Sequence, residues 1–281
     1  MNNSTNTLPS IKLSLQVELP KLPSKLGIFD SFGGQITNYK LKFNFLQRHI
    51  NRFNYGLNKL AEITNKDCFE HISLDFLITK LELLFKETNP NEEYLSNDSK
   101  FRFRLWTDLS QIHLDAAPFN SRFTKGYANL ASYKLTRNLP FKYTPARESI
   151  ESIQLAISNN LDEGLLVDDD NNITESSWSN FLWIEHDEII CASGLGLDGI
   201  TQQVIEDLYS GDNKIIIKPI SLNELLSNQF PCFLTNSLEG VIKINSIDGI
   251  KMKFSSQIDN IKRCYDNYCL NNEVTWIQID S

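Results

Sequence analysis

The sequence predicts a mixed α/β (α+β) protein, and three observations carry that reading. Segments whose apolar residues step by three and four alternate along the chain with short strand-like runs. Those runs are bounded by glycine, proline, asparagine and aspartate, which supply turns. At 281 residues the chain has room for one large domain or two modest ones, and ample core. Composition is that of an ordinary globular protein, 41% hydrophobic and 22% charged. A net charge of -8, with no Lys/Arg cluster to offset it, speaks against a nucleic-acid surface. No apolar run approaches the roughly 18 residues of a membrane span. Residues 1–10, MNNSTNTLPS, lack the basic and apolar regions of a signal peptide and read as a loose tail. The five cysteines are scattered without a CxxC pair, which suggests reduced thiols in a cytoplasmic protein rather than a zinc site or a disulfide framework. The four histidines form no HxH or HExxH arrangement, so a metal enzyme has little support.

Taken in order, residues 26–32 read as a strand, followed by a turn at Gly33-Gly34. A helix is expected over 40–64, because Leu46, Ile50, Phe53, Leu57 and Leu60 recur at helical spacing, with His49 and Arg52 on an adjoining stripe. Leu74, Leu77, Leu81 and Leu84 place a second helix over 73–86, and 89–100 is a polar loop. Residues 101–106 and 111–114 read as paired strands, with Arg102 and Arg104 pointing to one face. Composition turns loop-like around 116–124, so a division is expected into domains 1–118 and 133–281, joined by a loop over 119–132. An extended stretch from Tyr127 leads to Lys142, and Thr144-Pro145 starts a helix to about Asn160 that turns Ile150, Ile153 and Ile157 inward. Strands follow at 163–168, from Ile173, at 181–185 and at 188–192. The glycine-rich run 194–203 opens a helix, whose first backbone N–H groups attract phosphate. A short helix at 221–228, a strand–turn–strand at 231–244, a helix at 255–269 and an extended tail at 274–279 complete the chain.

One order of residues stands out across 142–180. Lys142, a helix, Asp162-Glu163-Gly-Leu-Leu-Val-Asp168, a turn, Thr174-Glu175 and Asn180 follow one another. This resembles the class IV aminotransferase family, the fold-type IV pyridoxal-phosphate enzymes, whose pattern is Lys, helix, D-E-x-L-x-x-D, turn, T-E-x-x-x-x-N. The resemblance extends over roughly 26–260. His49-Ile-Asn-Arg-Phe53 is similar to the family's H-L-x-R-L, and Leu197-Asp-Gly-Ile-Thr201 to its L-x-G-I-T-R, with Gln202 in place of the arginine. Thr235-Asn-Ser-Leu238 resembles the T-N-S/A-L loop of aminodeoxychorismate lyases, while Lys243 replaces a proline usual in the next strand.

What the resemblance implies is a two-domain fold. It has a smaller N-terminal α/β domain and a larger C-terminal domain on a curled sheet, with pyridoxal 5'-phosphate in the cleft between them and a homodimer as the assembly. Lys142 is then the covalent anchor of the cofactor aldehyde and the base that moves protons. Glu175 faces the pyridine nitrogen, since a protonated ring is the better electron sink. Arg52, Asn180, Gly199, Ile200, Thr201 and Ser237 bind the cofactor, with Arg52 suited to the phosphate dianion. His49 is read as a structural partner. Ser31, Arg104, Asn236 and Leu238 are expected near a small-molecule substrate, Arg104 either holding a carboxylate or forming a polar outer face. Within the family the R-x-R-L stretch at 102–105, the T-N-S-L loop and the chain length lean to the lyase of 4-amino-4-deoxychorismate. The alternative is an aminotransferase of branched-chain or D-amino acids. The T-R-G-x-x-x-R-H stretch usual in the D-specific branch has no counterpart in 101–114.

Overall fold

The computed structural model describes residues 11–19, 21–65, 69–88, 96–108, 110–192, 196–209 and 215–279. From the N-terminus run strands β1 (Ile11–Leu15), β2 (Gly27–Thr37) and β3 (Lys40–Asn44), then helices α1 (Leu46–Thr64) and α2 (Leu74–Thr88). Strands β4 (Lys100–Thr107), β5 (Ile112–Pro118), β6 (Tyr127–Lys134) and β7 (Tyr143–Thr144) lead to α3 (Arg147–Ser158). Next come β8 (Glu163–Val167), β9 (Ile173–Ser176), β10 (Asn180–Glu185), β11 (Glu188–Ala192) and α4 (Ile200–Leu208). Then follow β12 (Ile216–Lys218), α5 (Leu222–Asn228), β13 (Cys232–Asn236), β14 (Gly240–Ile247) and β15 (Ile250–Lys251). Helix α6 (Ser256–Asn271) and strand β16 (Val274–Gln278) end the chain. The expected tail 1–10 and Gly194 lie outside the described residues. Among the described residues no helix is long and apolar enough to cross a membrane.

The chain divides into two compact units. The first comprises residues 1–120, 142–145 and 273–281. Its sheet runs β1-β5-β4-β2-β3-β16, with β7 paired to β2. The stripe Leu46, Ile50, Phe53, Leu57 and Leu60 of α1 is buried as its spacing predicts. Beneath it Phe32 stacks on Phe103 at 5.6 Å, and Phe43 meets Phe103 edge-on at 5.0 Å. Gly34 lies inside β2 rather than in a turn. A Cβ there would stand 2.8 Å from Phe103 and 2.9 Å from Phe43, so glycine is what lets the rings close over the strand. The chain reverses instead at Asn38-Tyr39, where φ is 51° and 59°. Strand β3 precedes α1 because 40–44 alternates, Leu41 and Phe43 buried, rather than following the helical period. The last strand, β16, pairs with β3 (Thr275 opposite Phe43) and covers its outer edge, so 273–281 belongs with the first unit and not with a domain 133–281.

The second unit comprises residues 121–141 and 146–272. Its sheet runs β12-β11-β10-β13-β14-β6-β8-β9. Strand β6 lies between β14 and β8, parallel to both, with Ala128 and Leu130 fully buried, so from Tyr127 onward the loop expected over 119–132 is sheet interior. One core gathers Phe181, Trp183, Leu234, Ile244 and Leu130. Helix α3 begins at Arg147, not at Pro145, with Ala146 at its N-cap. Thr144 belongs to β7, where its hydroxyl donates to the Lys25 carbonyl at 2.8 Å. The helix also turns the other way. Ile150 and Ile157 are 42% and 62% exposed, while Ser149, Ser152, Ile153 and Ala156 face inward. Small residues are required there: a Cβ on Gly164 of β8 would come within 2.8 Å of Ser152 Cβ, and the Ser152 and Ser177 hydroxyls meet at 2.7 Å.

Candidate active site

In the first unit, Lys142 sits immediately before β7 and opposite Phe29 of β2, whose N–H donates to the Lys142 carbonyl at 3.3 Å. Its ammonium lies 5.3 Å from the Phe29 ring centroid. The next residue, Asp30, points to the face covered by α1 and is 1% exposed. There its carboxylate accepts from Arg52 Nε at 2.7 Å, Arg52 Nη2 at 2.9 Å and His49 Nδ1 at 2.7 Å. Burial acts to raise the Asp30 carboxyl, but Arg52 and His49 outweigh it and hold it well below the ordinary carboxylate value. Burial also pushes His49 down, and the nearby Arg52 and Lys142 cations reinforce this against the pull of Asp30. The imidazole is thus neutral near pH 7, its Nδ1–H given to Asp30. Arg52, expected to face a phosphate, therefore spends two of its three nitrogens on Asp30.

Ser31 is paired in register with Arg104, which is paired in turn with Asp115. Arg104 is only 9% exposed, which removes the reading of a polar outer face. Its Nη2 lies 3.7 Å from Asp115, to which Trp106 Nε1 also donates. His113 stacks flat on Trp106 at 3.8 Å. Burial lowers the Arg104 guanidinium to about 10 despite Asp115, and raises the Asp115 carboxyl. A guanidinium dehydrated and oriented in this way is well suited to a carboxylate.

In the second unit, Glu175 on β9 is 3% exposed. Its Oε2 accepts the Leu197 N–H at 3.3 Å, and its Oε1 accepts from Nε of Arg137. No pattern in the sequence singles out Arg137. Asn180, first residue of β10, donates to the Leu197 carbonyl, and its Oδ1 faces Gly199, where a Cβ would stand only 1.9 Å away. Glycine at 199 is what lets the loop lie against Asn180 ahead of α4. That helix starts at Ile200 with no side-chain cap. Thr235, opposite Asn180 in register and so on the same sheet face, has a fully buried hydroxyl with no hydrogen-bond partner among the described residues. Thr201 instead approaches the Tyr265 hydroxyl at 3.4 Å. Gln202 is buried, accepting from Cys191 at 3.4 Å and donating to Glu206 at 3.1 Å, so its side chain is committed to packing. Lys243 pairs with Asp259 of α6.

The loop from β13 to β14 is pinned by Asn236. Its Oδ1 accepts from the N–H groups of Leu238 at 3.0 Å and Glu239 at 2.8 Å, and its Nδ2 donates to Ser179 at 3.0 Å. Expected near substrate, Asn236 is engaged within its own turn, with half-buried Ser237 and Leu238 carried by it. A second hub is Glu163, fully buried, which accepts from Ser176 at 2.6 Å, Ser179 at 2.8 Å and Arg122. It fixes the hairpin that carries Glu175. Lys142, Arg52, Ser31 and Arg104 thus belong to the first unit, and Glu175, Asn180, Gly199, Ile200, Thr201 and Asn236–Leu238 to the second.

The sequence profile of the amino-transferase class IV family matches residues 27–247. The chain belongs to the class IV aminotransferase family. Its members are pyridoxal-phosphate-dependent enzymes, either aminotransferases or lyases, and this class IV enzyme shares their fold. The branched-chain amino acid aminotransferase of Thermobaculum terrenum, in its pyridoxal-phosphate form, is similar at 15% identity and a TM-score of 0.68, over 89% of this chain and 89% of that one. The branched-chain aminotransferase of Thermoproteus uzoniensis gives 17% identity and 0.68, over 89% and 90%. A candidate 4-amino-4-deoxychorismate lyase of Legionella pneumophila gives 18% identity and 0.65, over 92% and 99%. A search of curated proteins by sequence finds no match.

The residues of this class IV enzyme fit the cofactor. An uncapped helix start at Ile200, a backbone approach that only Gly199 permits and the orphaned Thr235 hydroxyl are what a phosphate needs. Glu175 is a buried carboxylate, the kind of group that a protonated ring nitrogen would require. Lys142 is an amine beside an aromatic ring.

Proposed function

We propose that the chain is a lyase converting 4-amino-4-deoxychorismate to 4-aminobenzoate and pyruvate, with pyridoxal 5'-phosphate as cofactor. The observation that carries it is the T-N-S-L loop. Asn236 ties this loop to Ser179 and to its own backbone, a rigid turn built from the residues the lyase branch uses. When bound, the cofactor supplies an electron sink for negative charge left on a substrate carbon. Lys142 would hold the cofactor through Nζ, and its amine would take the proton from the substrate ring carbon that bears the amino group. The enolpyruvyl group then leaves with the electron pair of its C–O bond, and a proton delivered to its methylene carbon gives pyruvate. Arg104, dehydrated and held by Asp115, orients a substrate carboxylate. Ser31, its register partner, offers a hydroxyl on the same face. Glu175 keeps a proton at the ring nitrogen. The N–H groups at the start of α4, with Thr235, Ser237 and the end-on pair of Arg52, would receive the phosphate.

The same Lys142, Glu175 and Arg52 would serve an aminotransferase of branched-chain or D-amino acids with 2-oxoglutarate, and one experiment separates the two. Protein loaded with pyridoxal 5'-phosphate is given 4-amino-4-deoxychorismate in one arm and amino donors with 2-oxoglutarate in the other. Release of 4-aminobenzoate with pyruvate and no amino transfer supports the lyase. Amino transfer without 4-aminobenzoate refutes it. On this reading the enzyme serves folate synthesis in the cytoplasm. From the family it is also expected to be a homodimer, which light scattering on the eluting protein tests.

A further inference from the structure

The segment after β6 alternates exposed residues (Thr136, Asn138, Pro140) with covered ones, and Arg137 within it is only 5% exposed. Its guanidinium reaches inward. Nε donates to Glu175 Oε1, Nη2 lies 3.3 Å from the Ser149 hydroxyl and Nη1 3.5 Å from the Phe141 carbonyl. Glu175 is thereby held from two sides, Oε1 by Arg137 and Oε2 by the Leu197 N–H. Nothing in the role assigned to Glu175, a carboxylate facing a ring nitrogen, requires a second cation. A buried arginine in contact with that carboxylate needs a reason of its own, since replacing such pairs by apolar residues is often neutral or stabilising.

We propose that Arg137 is a positioning residue that decides where a proton shared between Glu175 and the cofactor ring nitrogen resides. The inference rests on the cofactor reading above. One proton is shared by two bases, so it sits either on the nitrogen, leaving a carboxylate, or on the carboxyl, leaving a neutral ring. A guanidinium in contact with the carboxylate stabilises the first arrangement directly. It repels a positive ring nitrogen less, because that nitrogen is not its contact partner and Coulomb energy falls with distance. Arg137 therefore moves the proton from oxygen to nitrogen with no net change in protonation. Two donors on the carboxylate, from Arg137 and Leu197, act the same way, since hydrogen bonds to the ionised form favour it. The guanidinium also fixes the Glu175 rotamer, so the acid that sets the electron sink is aimed before the cofactor arrives.

The test is the ring-nitrogen chemical shift of 15N-labelled pyridoxal 5'-phosphate bound to wild type, Arg137→Gln, Arg137→Lys and Glu175→Gln, with the dissociation constant measured alongside. Wild type should show the protonated-ring shift. Arg137→Gln should move it to the neutral-ring range and weaken the cofactor at least tenfold. Arg137→Lys should restore most of the protonated signal, and Glu175→Gln should lose it. Near-UV circular dichroism reports folding, and if Arg137→Gln fails to fold, Arg137→Lys and Arg137→Met carry the comparison. A folded Arg137→Gln or Arg137→Met protein with wild-type shift and affinity overturns the proposal and leaves the cofactor reading intact. Wild-type protein that binds no cofactor, or binds it equally after Lys142→Ala, overturns the cofactor reading and this proposal with it.

Discussion

Substituting Asp30 by asparagine is the sharpest probe of how the first unit holds its basic residues. In wild type one carboxylate accepts three hydrogen bonds from Arg52 and His49, at 2.7 to 2.9 Å, with Asp30 and Arg52 only 1% and 12% exposed at their side chains. An amide of the same shape keeps one acceptor oxygen but turns an NH2 group toward a donor, and it removes the charge that balances Arg52. Breaking a buried pair from one side costs about 3–5 kcal/mol, because the remaining ion stays desolvated. Roughly 2–3 °C per kcal/mol for a domain of this size puts the loss in Tm on the order of 10 °C. Calorimetry on Asp30→Asn, Arg52→Met and the double variant measures it. The double variant should be less destabilised than the two singles summed, since removing both partners leaves no uncompensated charge. A loss below about 1 kcal/mol for Asp30→Asn, or strict additivity, would show that the cluster is a solvated accident.

Further outcomes follow from the same geometry. Gly199→Ala should displace Asn180, whose Oδ1 lies 1.9 Å from the new methyl, and weaken pyridoxal 5'-phosphate binding at least tenfold by titration, with partial recovery in the Gly199→Ala/Asn180→Ala pair. Gly34→Ala drives a methyl against Phe103 and Phe43 and should cost about 1–3 kcal/mol in denaturant unfolding. His49 is depressed below 6.5 in the fold, so the unfolded chain takes up its proton first as pH falls. Stability should therefore decline from pH 6.5 downward through the lower folded value, and His49→Gln should flatten that limb of the pH–stability curve. The Asp30 contribution, set below its ordinary 3.8, is present above that value and fades only at still lower pH. Burial holds the Cys191 thiol at about 12 and raises Cys232 as well, so alkylation of native protein near pH 8, mapped by mass spectrometry, should mark Cys264 and Cys269 before either of them.

What the sequence discloses divides by the kind of signal each element carries. The leucine and phenylalanine stripe of α1 is legible because large apolar residues at helical spacing are buried whatever they meet. The same rule fails on α3. There the partner is Gly164 at close range, so serines and an alanine pack inward and the isoleucines face out. Periodicity reports which face is apolar, not which face fits. Strand β3 merges into the expected helix because Phe43 lies at the helical offset of three from Leu46, and only the spacing of two between Leu41 and Phe43 separates the alternatives. Lys142, Glu175 and Asn180 are singled out in the sequence because the family orders such residues along the chain. Arg137 is not, since its partner lies 38 residues away and a lone arginine between strands has no pattern. Asp30 leaves a usable trace. His49 and Arg52 recur three apart beside the buried stripe of α1, and two basic groups on a buried flank require a carboxylate opposite them.

The arrangement of arginines then bears on how the cofactor is held. Arg52, Arg122 and Arg137 are each committed to one buried carboxylate, Asp30, Glu163 and Glu175 in turn. Such pairs add little net stability, but each fixes one side chain in one geometry. Arg52 in particular gives its side-on pair, Nε–H and one Nη2–H, to Asp30, which leaves only the end-on pair, Nη1 and the second Nη2–H, for a phosphate. On the proposed reading the phosphate would be shared with the N–H groups at the start of α4 and with the Thr235 hydroxyl, which ranks high because it has no partner among the described residues. The ranking is measurable. Thr235→Val, which keeps the shape and removes only the orphaned hydroxyl, should weaken pyridoxal 5'-phosphate more than it weakens pyridoxal, which lacks the phosphate, while leaving stability unchanged or raised. Equal weakening of both would place Thr235 outside the phosphate site and return that role to Arg52.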